Sequence, residues 1–191
     1  MYYGSMKLDM VYYPAPSLRE LSAPVREITS EVREAVPQMF ELMYKNRGIG
    51  LAGPQAGFNF RLIVANIKGE KEKGEELVFI NPEIVLRDGV MLEDEGCLSL
   101  PGFSVRIRRS ARVRVRYTLL DGKAEEVEAE GIWAKLFQHE IDHLDGILMI
   151  DKMTAADLKQ WKPLLKELEE DYAAKEPPRR RKVRRTAEAG L

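Results

Sequence analysis

The sequence contains two histidines, and they stand four residues apart in Gln138-His139-Glu140-Ile141-Asp142-His143. That spacing constrains the fold more than any other feature of the chain. Two imidazoles four apart converge on one ion when the segment is an α-helix, because positions i and i+4 share a helical face. His139 and His143 are then about 40° apart around the axis, and Glu140 is about 60° from His143. The glutamate stands beside a shared ion without having to bind it, where a general acid or base is needed. A divalent metal in such a place lowers the pKa of water from about 15.7 towards about 7. The same face runs back through Leu136 and Ile132, so the helix is expected to present an apolar pocket beside its ligands.

The only cysteine, Cys97, lies in Glu95-Gly96-Cys97-Leu98-Ser99. Three protein ligands and an open fourth position make a catalytic metal site, not a structural one. Thiolate binds such metals strongly. The alternative third ligands are Glu167, Glu169 and Glu170, as in a thermolysin-like endopeptidase, although their helix face reads as solvated. A metzincin would need a further histidine downstream, and the sequence has none. A lone cysteine is more commonly a small buried hydrophobe, and paired histidines also occur on the surface of amphipathic helices. The turn context of Cys97, after a strand-like run, favours the ligand reading. Glu95 is expected to pair with one of the arginines between Arg106 and Arg112. Asp142 is expected either to orient a ligand histidine or to form a surface ion pair.

A single cysteine excludes an intramolecular disulfide, so nothing requires an oxidising compartment. No apolar run has the length of a membrane span, and Met1 to Met10 lacks the pattern of a signal peptide. These features predict a cytoplasmic protein with no membrane partner. A length of 191 residues with 45% hydrophobic content predicts one catalytic domain over residues 1–176. Residues 1–5 read as a short leader. Residues 177–191 form a basic tail, with six arginines and lysines against the single acid Glu188. The net charge of −1 therefore hides an acidic body. The tail has no apolar period and is expected to be disordered alone, with an anionic partner when bound.

Val32, Val36, Met39, Phe40 and Met43 recur at helical spacing between Thr29 and Asn46, with Thr29 or Ser30 as cap. Pro37 is expected either to kink this helix or to mark its start. Strands are predicted at residues 60–65, 77–80, 105–108, 112–117 and 127–129. Helices are predicted from Gly131 to Leu144 and from Ala155 to Tyr172. Strands and helices mix without βα alternation, which indicates an α+β fold.

Three blocks, taken together, resemble the peptide deformylase family: Gly48-Ile49-Gly50-Leu51-Ala52-Gly53-Pro54-Gln55, Glu95-Gly96-Cys97-Leu98-Ser99 and Gln138-His139-Glu140-Ile141-Asp142-His143. The resemblance runs from about Met6 to Asp151. It implies small mixed or antiparallel sheets around a central helix that carries the histidines. It implies metal ligands Cys97, His139 and His143, with Fe²⁺ as the physiological metal and Zn²⁺, Ni²⁺ or Co²⁺ able to replace it. The implied reaction is hydrolysis of the N-formyl group from formyl-methionyl nascent peptides. Glu140 would carry the proton, and the Gln55 amide and Leu98 N–H would hold the oxyanion. Ile49, Gly50 and Gly96 would bind the peptide backbone, and Ile132, Leu136 and His139 the methionine side chain. Action on nascent chains would give the basic tail a ribosomal RNA partner. The family's usual Leu-Ala-Ala-Pro-Gln reads Leu51-Ala52-Gly53-Pro54-Gln55 here, a change expected to alter loop flexibility but not activity.

Overall fold

The computed structural model describes residues 7–174. The expected leader and basic tail lie outside the described residues. Seven strands and three α-helices follow one another as α1 (Ser30–Lys45), β1 (Gly50–Ala52), β2 (Leu62–Ala65), β3 (Leu77–Asp88), β4 (Met91–Cys97), β5 (Leu100–Arg109), β6 (Arg112–Thr118), β7 (Ala124–Glu130), α2 (Gly131–Leu144) and α3 (Ala155–Ala173). Five strands form one antiparallel sheet in the order β1-β2-β3-β6-β7, and β4 and β5 form a separate hairpin.

The large sheet is covered on both faces, and β2 shows why its sequence is wholly apolar. Side chains alternate across a strand. Leu62 and Val64 pack with Val36, Met39, Phe40 and Met43 of α1. Ile63 and Ala65 pack on the opposite side with Ala134, Phe137, Ile141 and Leu144 of α2. Phe79 meets Phe137 edge-on at 4.8 Å between ring centroids. The hairpin makes its own core with α3: Phe103, Val105 and Ile107 alternate inward along β5, and Phe103 stacks on Trp161 at 4.7 Å. The chain thus has an α+β fold in which α2 is central. Every α2 residue from Leu136 to Leu144 is buried.

The predicted elements recur with shifted ends. Pro37 does not start α1; the helix begins at Ser30, with Thr29 Oγ1 accepting from Val32 N, and runs through the proline. β3 continues eight residues past the predicted Ile80, across Pro82, which sits in a register irregularity between Ile80 and Glu83. A bulge accommodates the missing N–H of proline. Along β6 and β7, Arg112, Arg114 and Arg116 stand opposite Glu130, Glu128 and Glu126 and pair with them. No described helix is long and apolar enough to cross a membrane.

Phe137 joins the sheet to the helix that carries both histidines. Phe137→Ala is expected to destabilise the protein by about 3–5 kcal/mol, seen as a lower urea midpoint with an unchanged m-value.

Candidate metal centre

The site lies where the hairpin meets α2. Cys97 ends β4, and β5 starts at Leu100, so the chain reverses over Leu98 and Ser99. His139 and His143 occupy successive turns of α2. One ligand atom from each of Cys97, His139 and His143 lies within 4.8 Å of the others, and all three residues are buried. Cys97 Sγ is 3.2 Å from His143 Nε2. His143 Nδ1 is buried without a hydrogen-bond partner.

A carboxylate fixes the other imidazole. Glu95 Oε2 lies 3.0 Å from His139 Nδ1, and Arg109 grips Glu95 with Nε on Oε1 at 2.8 Å and Nη2 on Oε2 at 2.9 Å. Burial raises the Glu95 pKa, but the bonds from Arg109 and His139 outweigh it and hold the carboxyl down at about 2. An ionised Glu95 only accepts hydrogen bonds. His139 Nδ1 must therefore carry the hydrogen, which leaves Nε2 as the ligand atom. Arg109 also donates to Asp142, whose second oxygen is 3.4 Å from Lys152 Nζ.

Glu140 stands between the histidines and β1. Its Oε2 is buried without a partner, and burial raises its pKa to about 7. The carboxylate fits because residue 50 is glycine: a Cβ there would stand 2.8 Å from Glu140 Oε1. Gln55 is also buried and held in place. Its Oε1 accepts from Ala52 N at 2.9 Å, which turns Nε2 towards Ser99 Oγ at 3.3 Å and Cys97 Sγ at 3.6 Å.

A cavity of about 910 Å³ opens over these groups, and Ile49, Gly50, Gln55, Gly96, Cys97, Leu98, Leu136, His139 and Glu140 all line it. His143 lies below this surface, only 1% exposed. Ile132 is 43% exposed in the first turn of α2, one turn before Leu136, and is not among the residues that line this cavity. Asp142 faces Arg109 and Lys152, not a histidine; Glu95 is the carboxylate that orients an imidazole. Spacing could have indicated this, since Glu95 is two residues before Cys97 on one strand and so shares its face. Glu169 accepts from the Tyr13 hydroxyl and Glu170 pairs with Lys166. Neither these nor Glu167 joins the metal-ligand group found among the described residues. Gly53 is also tighter than expected. A Cβ there would stand 2.4 and 2.5 Å from the carbonyl oxygens of Phe58 and Phe60, so the glycine permits close backbone packing instead of loosening the loop.

The family described as Polypeptide deformylase matches residues 7–159. The chain belongs to this family. A peptide deformylase of Acidobacterium capsulatum is 45% identical over 146 residues, which cover 76% of this chain and 86% of the relative. One of Thermodesulfovibrio yellowstonii is 44% identical over 147 residues, covering 77% and 89%. A plant peptide deformylase crystal structure superposes with a TM-score of 0.86 at 35% identity, covering 94% of this chain and all of that one. The Plasmodium falciparum peptide deformylase superposes with a TM-score of 0.84 at 41% identity. Deformylases are metalloenzymes that hydrolyse the formyl cap of nascent peptides. The donor set fits that chemistry: one thiolate and two imidazoles suit a divalent transition metal, whereas magnesium or calcium would demand oxygen ligands.

Glu95 holds His139 in the tautomer that leaves Nε2 free to bind a metal. Glu95→Ala is expected to weaken metal retention by roughly 10–100-fold. Competition with a chelator measures it, and unchanged retention would rule out this role for Glu95.

Proposed function

We propose that Cys97, His139 and His143 hold one divalent metal ion and that Glu140, Gln55 and Leu98 carry the deformylation of N-formylmethionyl peptides. The observation that supports this reading most directly is the convergence of the three donors beneath a cavity, with the buried Glu140 beside them. A bound metal supplies Lewis acidity to water and to the formyl carbonyl.

The protein's own groups account for the rest. Glu140, with a pKa raised to about 7 by burial, suits proton transfer in both directions near neutral pH. It accepts a proton from the attacking water and delivers it to the amine as the C–N bond breaks, so that formate and a free N-terminus result. The Gln55 amide and the Leu98 backbone N–H donate to the oxygen that gains charge as the carbonyl carbon becomes tetrahedral. β1 is an edge strand, paired among the described residues with β2 alone. A substrate backbone can add along Ile49 and Gly50, with Gly96 at the same cavity. The methionine side chain is proposed to lie against Leu136 and His139, with the more exposed Ile132 one turn earlier on the same helix face.

Fe²⁺ is the proposed metal in the cell. Intrinsic affinity favours zinc, and Ni²⁺ or Co²⁺ also suit the donors, so availability decides occupancy. The proposed location is the cytoplasm, where formylated nascent chains emerge. The basic residues beyond Pro177 are proposed to touch ribosomal RNA, a contact that would weaken steeply with salt.

Metal-loaded protein is expected to release formate from formyl-Met-Ala-Ser without digesting intact proteins, and Glu140→Ala to abolish that release. Protein digestion without formate would instead indicate an endopeptidase. Gln55→Ala is expected to lower kcat by on the order of 10²-fold; a rate equal to wild type would exclude Gln55 as an oxyanion donor.

A further inference from the structure

The end of α1 carries a backbone conformation that its sequence does not explain. The helix closes with a Schellman motif: Gly48 N donates to Met43 O and Arg47 N to Tyr44 O, both at 2.9 Å. Such a motif puts the residue after the C-cap in the left-handed region, usually as glycine. Here that residue is Arg47, at φ 60°. The adjacent Gly48 serves another need, since a Cβ there would stand 2.6 Å from Leu98 Cδ1. The chain therefore keeps an arginine where glycine would be unstrained.

Helix-end electrostatics do not require it. A cation favours a helix C-terminus, and Lys45 in the last turn already provides one. What sets Arg47 apart is its position. Arg47 and Lys45 are exposed and both line the cavity that holds Cys97, His139 and Glu140. Neither side chain has a hydrogen-bond or ion-pair partner among the described residues. Glu140 is buried at the floor of the cavity, and the other charges around it are engaged. Lys135 Nζ meets Glu93 at 3.4 Å and the Asp94 carbonyl at 3.1 Å. Asp94 approaches Arg106 at 3.9 Å, and Glu95 is bound by Arg109. The uncompensated charge at the mouth is thus positive, and it sits at the end of the segment that continues into Ile49 and Gly50.

We propose that Arg47, supported by Lys45, is a specificity-determining residue that favours formyl-methionyl peptides with an acidic side chain at their second or third residue. This inference rests on the deformylase reading of the cavity. A peptide laid along Ile49 and Gly50 passes the end of α1, and the Arg47 guanidinium is free to pair with a carboxylate in it.

The test compares kcat/KM for C-terminally amidated formyl-Met-Ala-Ser, formyl-Met-Glu-Ser, formyl-Met-Ala-Glu and formyl-Met-Lys-Ser on metal-loaded full-length protein. At low salt, at least one glutamate peptide is expected to exceed formyl-Met-Ala-Ser by roughly threefold to fivefold, with the advantage shrinking at high ionic strength. Arg47→Glu is expected to move the preference to the lysine peptide. Arg47→Gly accepts the same backbone and is expected to erase the preference in a folded protein. Equal values for all four peptides, or a glutamate preference that survives Arg47→Gly, would overturn the assignment of Arg47 while leaving the deformylase reading intact. No formate from any peptide would overturn both.

Discussion

The candidate metal centre depends on one buried guanidinium. Arg109 ends β5, binds both oxygens of Glu95 on β4 and donates to Asp142 on α2. The thiol comes from the hairpin and both imidazoles from the helix, so the three donors meet only if these two elements keep their relative position. A buried charge left without partners costs several kcal/mol. Arg109 has two carboxylates, and Glu95 has Arg109 and His139. Removing Arg109 takes the buried cation from both carboxylates at once, and so the network specifies one docking of hairpin on helix. That docking also sets the His139 tautomer, and thus which nitrogen can bind a metal.

The apolar packing supplies the stability that this polar network does not. α2 is buried along nearly its whole length because it lies between the large sheet and the hairpin. Its apolar face meets Ile63, Phe79 and Val115, and its polar face meets Glu95, Arg109 and Cys97. A helix buried on all sides normally excludes charged groups. Here the histidines, Glu140 and Asp142 are admitted because all but one have a partner or converge on a common point. Glu140 alone has neither for its Oε2.

Much of this was legible in the sequence, and the failures have physical reasons. The helical period of α1 and the i, i+4 histidines survive in the structure because local geometry dictates them. Cys97 was legible as a candidate ligand because no other cysteine competes, and the structure brings it together with both histidines. The length of β3 was hidden by Pro82, which reads as a strand end but occupies a bulge. Ile132 shares the helix face of Leu136 but is far more exposed, since periodicity gives angle and not depth below the surface. The pairing of Glu95 with His139 is long-range, and no single-segment pattern contains it. Gly53 looked like a source of flexibility, whereas the carbonyls that crowd it belong to residues five and seven positions later.

The orphaned Glu140 oxygen then has a structural cause. Ionised carboxyl groups resist burial, which is why this one is raised to about 7. β1 enforces the burial: Gly50 lies so close that any side chain there would collide with the carboxylate. The glycine therefore has a structural role beside the proposed contact with a substrate backbone. It lets the strand close over Glu140 from one side while α2 holds it from the other, excluding solvent that would return the group to an ordinary carboxylate pKa. A glutamate in the same i, i+1 relation to His139 on an exposed helix would be equally close to a metal, but almost fully ionised at neutral pH and poor at giving a proton back. The motif supplies the residue types; the sheet edge that covers it supplies the burial that raises the Glu140 pKa.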